Sequence, residues 1–341
     1  VTKTSHEAYK AAGVDLDRAD AVVEIAKRLA ASTRQPGVLG GIGGFSGAFE
    51  LPPGMRQPVL LSACDGVGTK LKLAQQTGIH HTVGIDLVAM NVNDILVSGG
   101  QPLVFLDYVA TSQILPAQFE QILTGIADGC KQAACTLLGG ETAEMPGFYA
   151  PEEYDLAGFS VGVVEKDATY PKAVQAGDVL IGLPATGPHS NGYSLIRKLV
   201  EGQDLTQPVP GTNTPLGEAL MAPTRIYVQP VLKLLETHPV RAMVHITGGG
   251  FFDNLPRVLP ENLGVQLQPW TLPPIFKHLQ ALGGLDLPTM MHTFNCGVGF
   301  VLIVPPEAAD AVLAETASWY PEGPSFKLGV VTPREGDAVH L

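Results

Sequence analysis

The apolar run Pro58-Val59-Leu60-Leu61-Ser62-Ala63-Cys64 passes directly into Asp65-Gly66-Val67-Gly68-Thr69-Lys70, and no other junction constrains the fold as much. The run reads as a strand, and the glycines behind it force a turn whose backbone N–H groups can approach an anion. Lys70 supplies a point charge, and Asp65 supplies oxygens suited to Mg²⁺. Neither G-x-x-x-x-G-K-[ST] nor G-x-G-x-x-G occurs in the chain, so nucleotide bound here needs a different loop geometry. A tight turn that merely carries charges is the alternative reading of this segment alone.

The 341 residues exceed what one core usually holds, so two domains are expected. With 45% hydrophobic and 16% charged residues, the composition is that of a packed globular enzyme. A net charge of −12 supplies no basic field for a nucleic-acid backbone, yet leaves room for a phosphorylated small molecule in a local N–H-rich loop. Cys64, Cys130, Cys135 and Cys296 form no C-x-x-C pair and read as reduced core residues. With charges through the first twenty positions, no apolar leader and no bilayer-length apolar run, a cytoplasmic protein without membrane contact is expected.

Along the chain, 17–32 places Val22, Ile25 and Leu29 on one helical face. Six glycines in the eleven residues 37–47 predict a segment without regular structure, either a connector or a flap that orders over a ligand. After the Asp65 loop come a short helix through Leu71, Leu73 and Ala74, and a second helix that Asp86 would cap. Strands are expected at 103–110, 135–138 and 156–164, with a helix at 116–131 opened by Pro116. A composition shift between Glu165 and Asp178 marks the boundary, giving domains 1–168 and 169–341. The second half reads as strands near 178–183, 241–246, 263–267, 295–304 and 326–331, helices near 192–201, 224–236 and 306–317, and a surface excursion at 202–215. Neither half follows a regular βαβ order, so the expected class is α+β, two mixed domains.

Several constellations carry chemistry. Asp94 falls in an otherwise apolar helix, on the face of Asp86 and Met90, where a carboxylate needs a partner or a metal. Glu141 follows Gly139-Gly140 beyond the apolar run 135–138, so Asp65, Asp94 and Glu141 make an oxygen set suited to Mg²⁺ and phosphate. His189-Ser190-Asn191 precede a helix and suit recognition of an anion or amide, with plain capping the alternative for the last two. His245 lies on a strand that ends in Thr247-Gly248-Gly249-Gly250, where the glycines either close around phosphate or only turn the chain.

Taken in order, these stations resemble the phosphoribosylformylglycinamidine cyclo-ligase (aminoimidazole ribonucleotide synthetase) family. The resemblance also includes Tyr9 to Asp15, Gly84 to Met90, Ala222-Pro223-Thr224-Arg225-Ile226-Tyr227 and Thr293 to Gly299, nearly the whole chain. It implies an ATP-dependent ring closure. The formyl oxygen of formylglycinamidine ribonucleotide attacks the γ-phosphate, a substrate nitrogen attacks the activated formyl carbon, and phosphate leaves as the imidazole of aminoimidazole ribonucleotide forms. It also implies a homodimer in which N-terminal strands close a shared β-barrel, with ATP bound by the first domain and substrate by the second.

Carried onto this sequence, the resemblance puts Lys27, Asp65, Gly66, Val67, Gly68, Thr69 and Lys70 at ATP, and Asp65, Asp94 and Glu141 on Mg²⁺. His189, Ser190 and Asn191 would face substrate, and Thr247, Gly248 and Gly249 would hold a phosphate. His245, Asp94 and His189 would form the catalytic set, with His245 stabilising the reacting amide. Selenophosphate synthetase shares this architecture but is expected to carry a reactive Cys near its glycine loop, and 40–47 has none.

Overall fold

The computed structural model describes residues 16–41 and 43–341, so the segment Tyr9 to Asp15 lies outside the described residues. The chain divides into two units, one built from the chain up to Ile95 with Pro102–Val163, the other from Leu96–Gln101 with Val164–Leu341.

The first unit begins with helix α1 (Leu16–Ala31), which buries Val22 and Leu29 as its periodicity predicts. Two short antiparallel strands follow, β1 (Val38–Leu39) and β2 (Ala48–Phe49), in the register Val38 to Phe49. Of the glycine-rich segment only Val38–Leu39 is strand, against the expectation of no regular element; 40–41 and 43–47 hold neither helix nor strand, as expected. Gly37 adopts φ 98° at the base of this two-stranded ribbon, where a Cβ would lie 2.7 Å from the Glu50 carbonyl oxygen. Next come β3 (Pro58–Gly66), α2 (Lys70–Thr77), α3 (His81–Val97), β4 (Gln101–Thr111), α4 (Pro116–Ala133), β5 (Thr136–Glu144) and β6 (Tyr154–Glu165). The sheet order is β3-β6-β4-β5, so β3 and β5 are its two edges. β4, α4 and β5 form one parallel βαβ step, which the sequence reading did not anticipate.

Helix α4 starts where Pro116 predicts, after an extended Leu115, and fully buries Phe119, Ile122 and Ile126. It meets α3 at two glycines. A Cβ on Gly84 would stand 2.2 Å from the Ile122 carbonyl oxygen, and one on Gly125 would stand 1.9 Å from that of His81. Helix α3 itself starts earlier than the sequence suggests. Asp86 is an interior, fully buried residue of it and not a cap, because the helix already begins at His81.

The second unit contains β7 (Val179–Pro184), α5 (Tyr193–Leu199), α6 (Leu216–Met221), α7 (Val228–Leu235), β8 (Ala242–His245), α8 (Gly250–Asn254), β9 (Leu263–Leu267), α9 (Pro274–Gly283), α10 (Leu287–Thr293), β10 (Val298–Val304), α11 (Ala309–Thr316), β11 (Phe326–Pro333) and β12 (Val339–His340). Its six-stranded sheet runs β12-β9-β11-β7-β10-β8, and all its pairings are antiparallel except β12 with β9. β7 and β10 are buried along their whole length, as their unbroken apolar sequences require. Among the described residues no helix is long and apolar enough to cross a membrane.

Candidate functional sites in each unit

In the first unit the expected nucleotide residues fall into two groups, at opposite edges of the sheet. At the β3 edge, Asp65 is half-buried, and its Oδ1 accepts from the Gly66 N–H at 2.7 Å. Gly68, at φ 72°, and Thr69 are exposed, while Val67 is buried. The amide of Asn91 on α3 donates to the Asp65 carbonyl at 3.4 Å and so ties the loop to that helix. Asp94, three residues on, shares that helical face and is exposed, where the sequence reading had expected a buried carboxylate. Cys64 is likewise exposed, not a core residue.

Lys70 departs furthest from expectation. Its ammonium is 2.7 Å from Asp86 Oδ2 with both side chains at zero exposure, so its charge is neutralised inside the unit instead of being presented to an open phosphate loop. Burial lowers its pKa, and the Asp86 carboxylate opposes that shift.

At the β5 edge, α1, the ribbon and β5 enclose a hollow of about 250 Å³ lined by Lys27, Arg34, Val38 and Gly41. Lys27 lies on its rim and pairs with Glu24 at 2.7 Å, both exposed. Arg34, which the sequence reading passed over, donates to the carbonyls of Gly40 at 2.7 Å and Val38 at 3.0 Å. A guanidinium thereby fixes the ribbon beside a cationic hollow, a geometry suited to an anionic ligand. A second hollow of about 250 Å³, under α1, contains Asp107 and Glu141. Burial raises the Asp107 carboxyl to about 7. Asp107 packs on Gly140, where a Cβ would stand 2.2 Å from its Oδ1, so only glycine fits opposite it. Glu141 is an exposed residue inside β5, in register with Tyr108, and does not lie beyond the strand end as predicted.

Within one chain, then, Asp65 and Glu141 lie on opposite edge strands. No group of three His, Cys, Asp or Glu side chains able to hold a metal occurs among the described residues. The expected set of Asp65, Asp94 and Glu141 is therefore not assembled by a single copy.

In the second unit the two substrate motifs do meet: a Cβ on Gly248 would lie 3.5 Å from Asn191 Oδ1. Ser190 Oγ and Thr224 Oγ1 are 3.0 Å apart, and both Ser190 and Asn191 are half-buried. The glycine turn is held by Asn254, another residue the sequence reading missed. Its amide donates to the carbonyls of Gly248 at 3.1 Å and Gly250 at 2.6 Å, and its Oδ1 accepts from the Thr247 hydroxyl at 3.2 Å.

His189 separates from its neighbours. It has a left-handed backbone (φ 60°) and zero exposure, and its Nε2 accepts from the Arg225 N–H at 3.5 Å. Its ring lies 6.4 Å from that of Tyr227, which stacks on Phe300 at 5.1 Å, and Phe300 lies 6.4 Å from the buried His245. The two histidines are thus the ends of one aromatic row, and His189 faces the interior where a substrate-facing side chain was expected. A left-handed non-glycine residue costs about 1 kcal/mol or more and persists only where its surroundings hold it.

The family model described as AIR synthase related protein, N-terminal domain, matches residues 53–164, and that of the C-terminal domain matches 175–341. The phosphoribosylformylglycinamidine cyclo-ligase of Chromobacterium violaceum is 54% identical over 98% of this chain and 97% of its own length. That of a Picosynechococcus species is 50% identical over 98% and 99%. Among solved structures, a thiamine-monophosphate kinase from Stenotrophomonas maltophilia matches with a TM-score of 0.66 at 18% identity, covering 94% of this chain and 95% of that one. The hydrogenase maturation protein HypE in complex with ATP matches at 0.66 and 16% identity, covering 91% and 88%. At such identities these two likenesses establish the fold alone.

Proposed function

This chain belongs to the phosphoribosylformylglycinamidine cyclo-ligase family, and from that premise we infer that it closes the imidazole ring of aminoimidazole ribonucleotide from formylglycinamidine ribonucleotide and ATP. The observation that carries this reading is the match to enzymes of that name over 98% of the chain at 54% and 50% identity. The reaction releases ADP and phosphate and serves purine biosynthesis.

The first unit takes the nucleotide. Lys27 and Arg34 face the anionic phosphates from the cationic hollow, and the ribbon that Arg34 anchors covers them. The exposed Gly68 and Thr69 offer backbone and hydroxyl donors at the other edge. Asp65 and Asp94 provide hard oxygens on adjoining elements, which fits Mg²⁺, and that ion supplies charge neutralisation on the phosphates. In the second unit, Ser190, Asn191 and the turn Thr247 to Gly249 hold the ribonucleotide, its phosphate at the glycines. His245 stabilises charge on the reacting amide. Buried His189 acts as a positioning residue, fixing the chain that carries Ser190 and Asn191.

The working molecule is a cytoplasmic homodimer. In the four-stranded sheet Leu60 of β3, Phe159 of β6 and Leu106 of β4 are 63%, 42% and 37% exposed, an apolar surface that two copies would cover by closing their sheets into one barrel. Closure that brings the β3 edge of one copy to the β5 edge of the other supplies what a single chain lacks: Asp65 and Glu141 at one seam.

Purified protein given Mg-ATP and formylglycinamidine ribonucleotide should release ADP and form aminoimidazole ribonucleotide one for one, and only with both substrates present. ADP release indifferent to the ribonucleotide overturns the assignment, and a His245→Ala protein with full turnover removes His245 from the mechanism.

A further inference from the structure

At the sheet end where β7 stops and β11 starts, the second unit holds a cavity of about 790 Å³ lined by none of the residues given a role in the ring closure above. Its size lies within the range of small-molecule sites, roughly 300–1,000 Å³. The walls are largely apolar: Trp270 and Phe326 stand 6.3 Å apart between ring centroids, with Phe276 and Pro273 alongside. The indole N–H of Trp270 already donates to the Cys296 carbonyl at 3.0 Å and the ring packs on Phe251 at 5.3 Å, which fixes it in the cavity wall. The charged lining residues are Glu218 and Glu322, with no Lys, Arg or His among them, and Glu322 is braced from outside the cavity by Arg225. With Glu322 offset by Arg225, Glu218 supplies the negative charge and no lining residue offers phosphate a cation, so neither ATP nor a phosphorylated ribonucleotide suits this space. A cation gains twice, from the Glu218 carboxylate and from the aromatic rings.

We propose that this cavity is a second binding site, for a flat organic cation of one or two rings bearing an amidine, guanidine or protonated amine. The ring system lies against Trp270 and Phe326, and the charge points to Glu218. This assignment is independent of the cyclo-ligase reading.

Benzamidine and benzoate, alike in size and opposite in charge, make the test. In a Trp319→Phe protein, Trp270 is the remaining tryptophan, and its fluorescence reports the cavity. Benzamidine should change that emission saturably and benzoate should not. Glu218→Gln, at an exposed position, should weaken benzamidine binding by about tenfold, the loss of one charge-assisted hydrogen bond. Ala219→Phe should fill the space and abolish binding while the far-ultraviolet dichroism is kept. Formylglycinamidine ribonucleotide, which carries an amidine of its own, should leave bound benzamidine in place. An unsaturable response, equal binding of benzoate, unchanged affinity in Glu218→Gln, or displacement by the ribonucleotide each overturns the proposal.

Discussion

Asp86 and Asp107 are buried acids of the same unit that meet burial in opposite ways. Asp86 faces the Lys70 ammonium at 2.7 Å with neither side chain exposed, so each charge offsets the other's desolvation. Lys70→Met should destabilise the protein by about 3–5 kcal/mol, because it leaves a carboxylate in the core without this cation. The double change Lys70→Met with Asp86→Leu should recover most of that loss in urea denaturation, and a double variant no more stable than the single one would refute the pairing argument. Asp107 instead has its carboxyl raised by burial to about 7, against 3.8 in the unfolded chain. Between these values the folded state binds more protons than the unfolded state, so this group's contribution to stability falls as pH rises through that window. Asp107→Asn should therefore gain on the parent protein as pH rises from about 4 to about 7, by at most roughly 4 kcal/mol. Parallel stability curves for the two proteins across that window would sink the claim.

Between elements, the tightest fit in the first unit is the crossing of α3 and α4 at Gly84 and Gly125. A methyl group at either position would sit about 2 Å from a backbone oxygen of the other helix, too close for relaxation without moving the pair. Gly125→Ala should cost about 3 kcal/mol or more despite alanine's better helix propensity, whereas Gly78→Ala, at φ 70° in open space, should cost only about 1 kcal/mol. Thermal unfolding of the two variants checks the order. α4 was readable because its start rests on one local residue, Pro116, and its face on a period of 3.6. Strand β9 was equally plain, with predicted bounds that match. α9 and α10 went unread because Pro273-Pro274 and Pro288 read as loop, although proline in the first helical turn starts each of them. The strand pair Val38–Leu39 and Ala48–Phe49 was missed for the opposite reason: local glycine content argued against order, while nearby Arg34 bonds to Val38 and Gly40 and distant Leu138 packs on Gly47. The site residues show the same division. The Asp65 loop announces itself by composition, but Asn91 reaches it across 26 residues, and Arg34 and Asn254, although they bond within seven residues of themselves, do so in turns that match no regular period. The burial of Lys70 and the exposure of Asp94 depend on what packs over them, which spacing does not reveal.

For the whole molecule, the strand order β3-β6-β4-β5 decides how its predicted carboxylates can meet, and it leaves Asp65 and Glu141 on opposite edges of one sheet. The alternately exposed β3, with Leu60, Ser62 and Cys64 outward, and the exposed Phe159 and Leu106 form a face whose apolar content is costly to leave in water. If two copies close over this face as proposed, Phe159→Asp should leave monomer in sedimentation velocity and abolish ring closure, since it puts a charge in the middle of the proposed interface. The sharper test separates a seam shared by two copies from a site built by one. Asp65→Asn and Glu141→Gln should each be inactive as pure proteins. Unfolded together in equal amounts and refolded, they give mixed dimers as half of the population. In each mixed dimer, the seam joining the intact Asp65 of one protomer to the intact Glu141 of the partner subunit is whole, and the other seam carries both lesions. About a quarter of the parent activity should then return. If Asp65 and Glu141 of the same chain act together, every site in a mixed dimer carries one lesion and no activity returns, so the outcome decides between the two arrangements without a bound ligand.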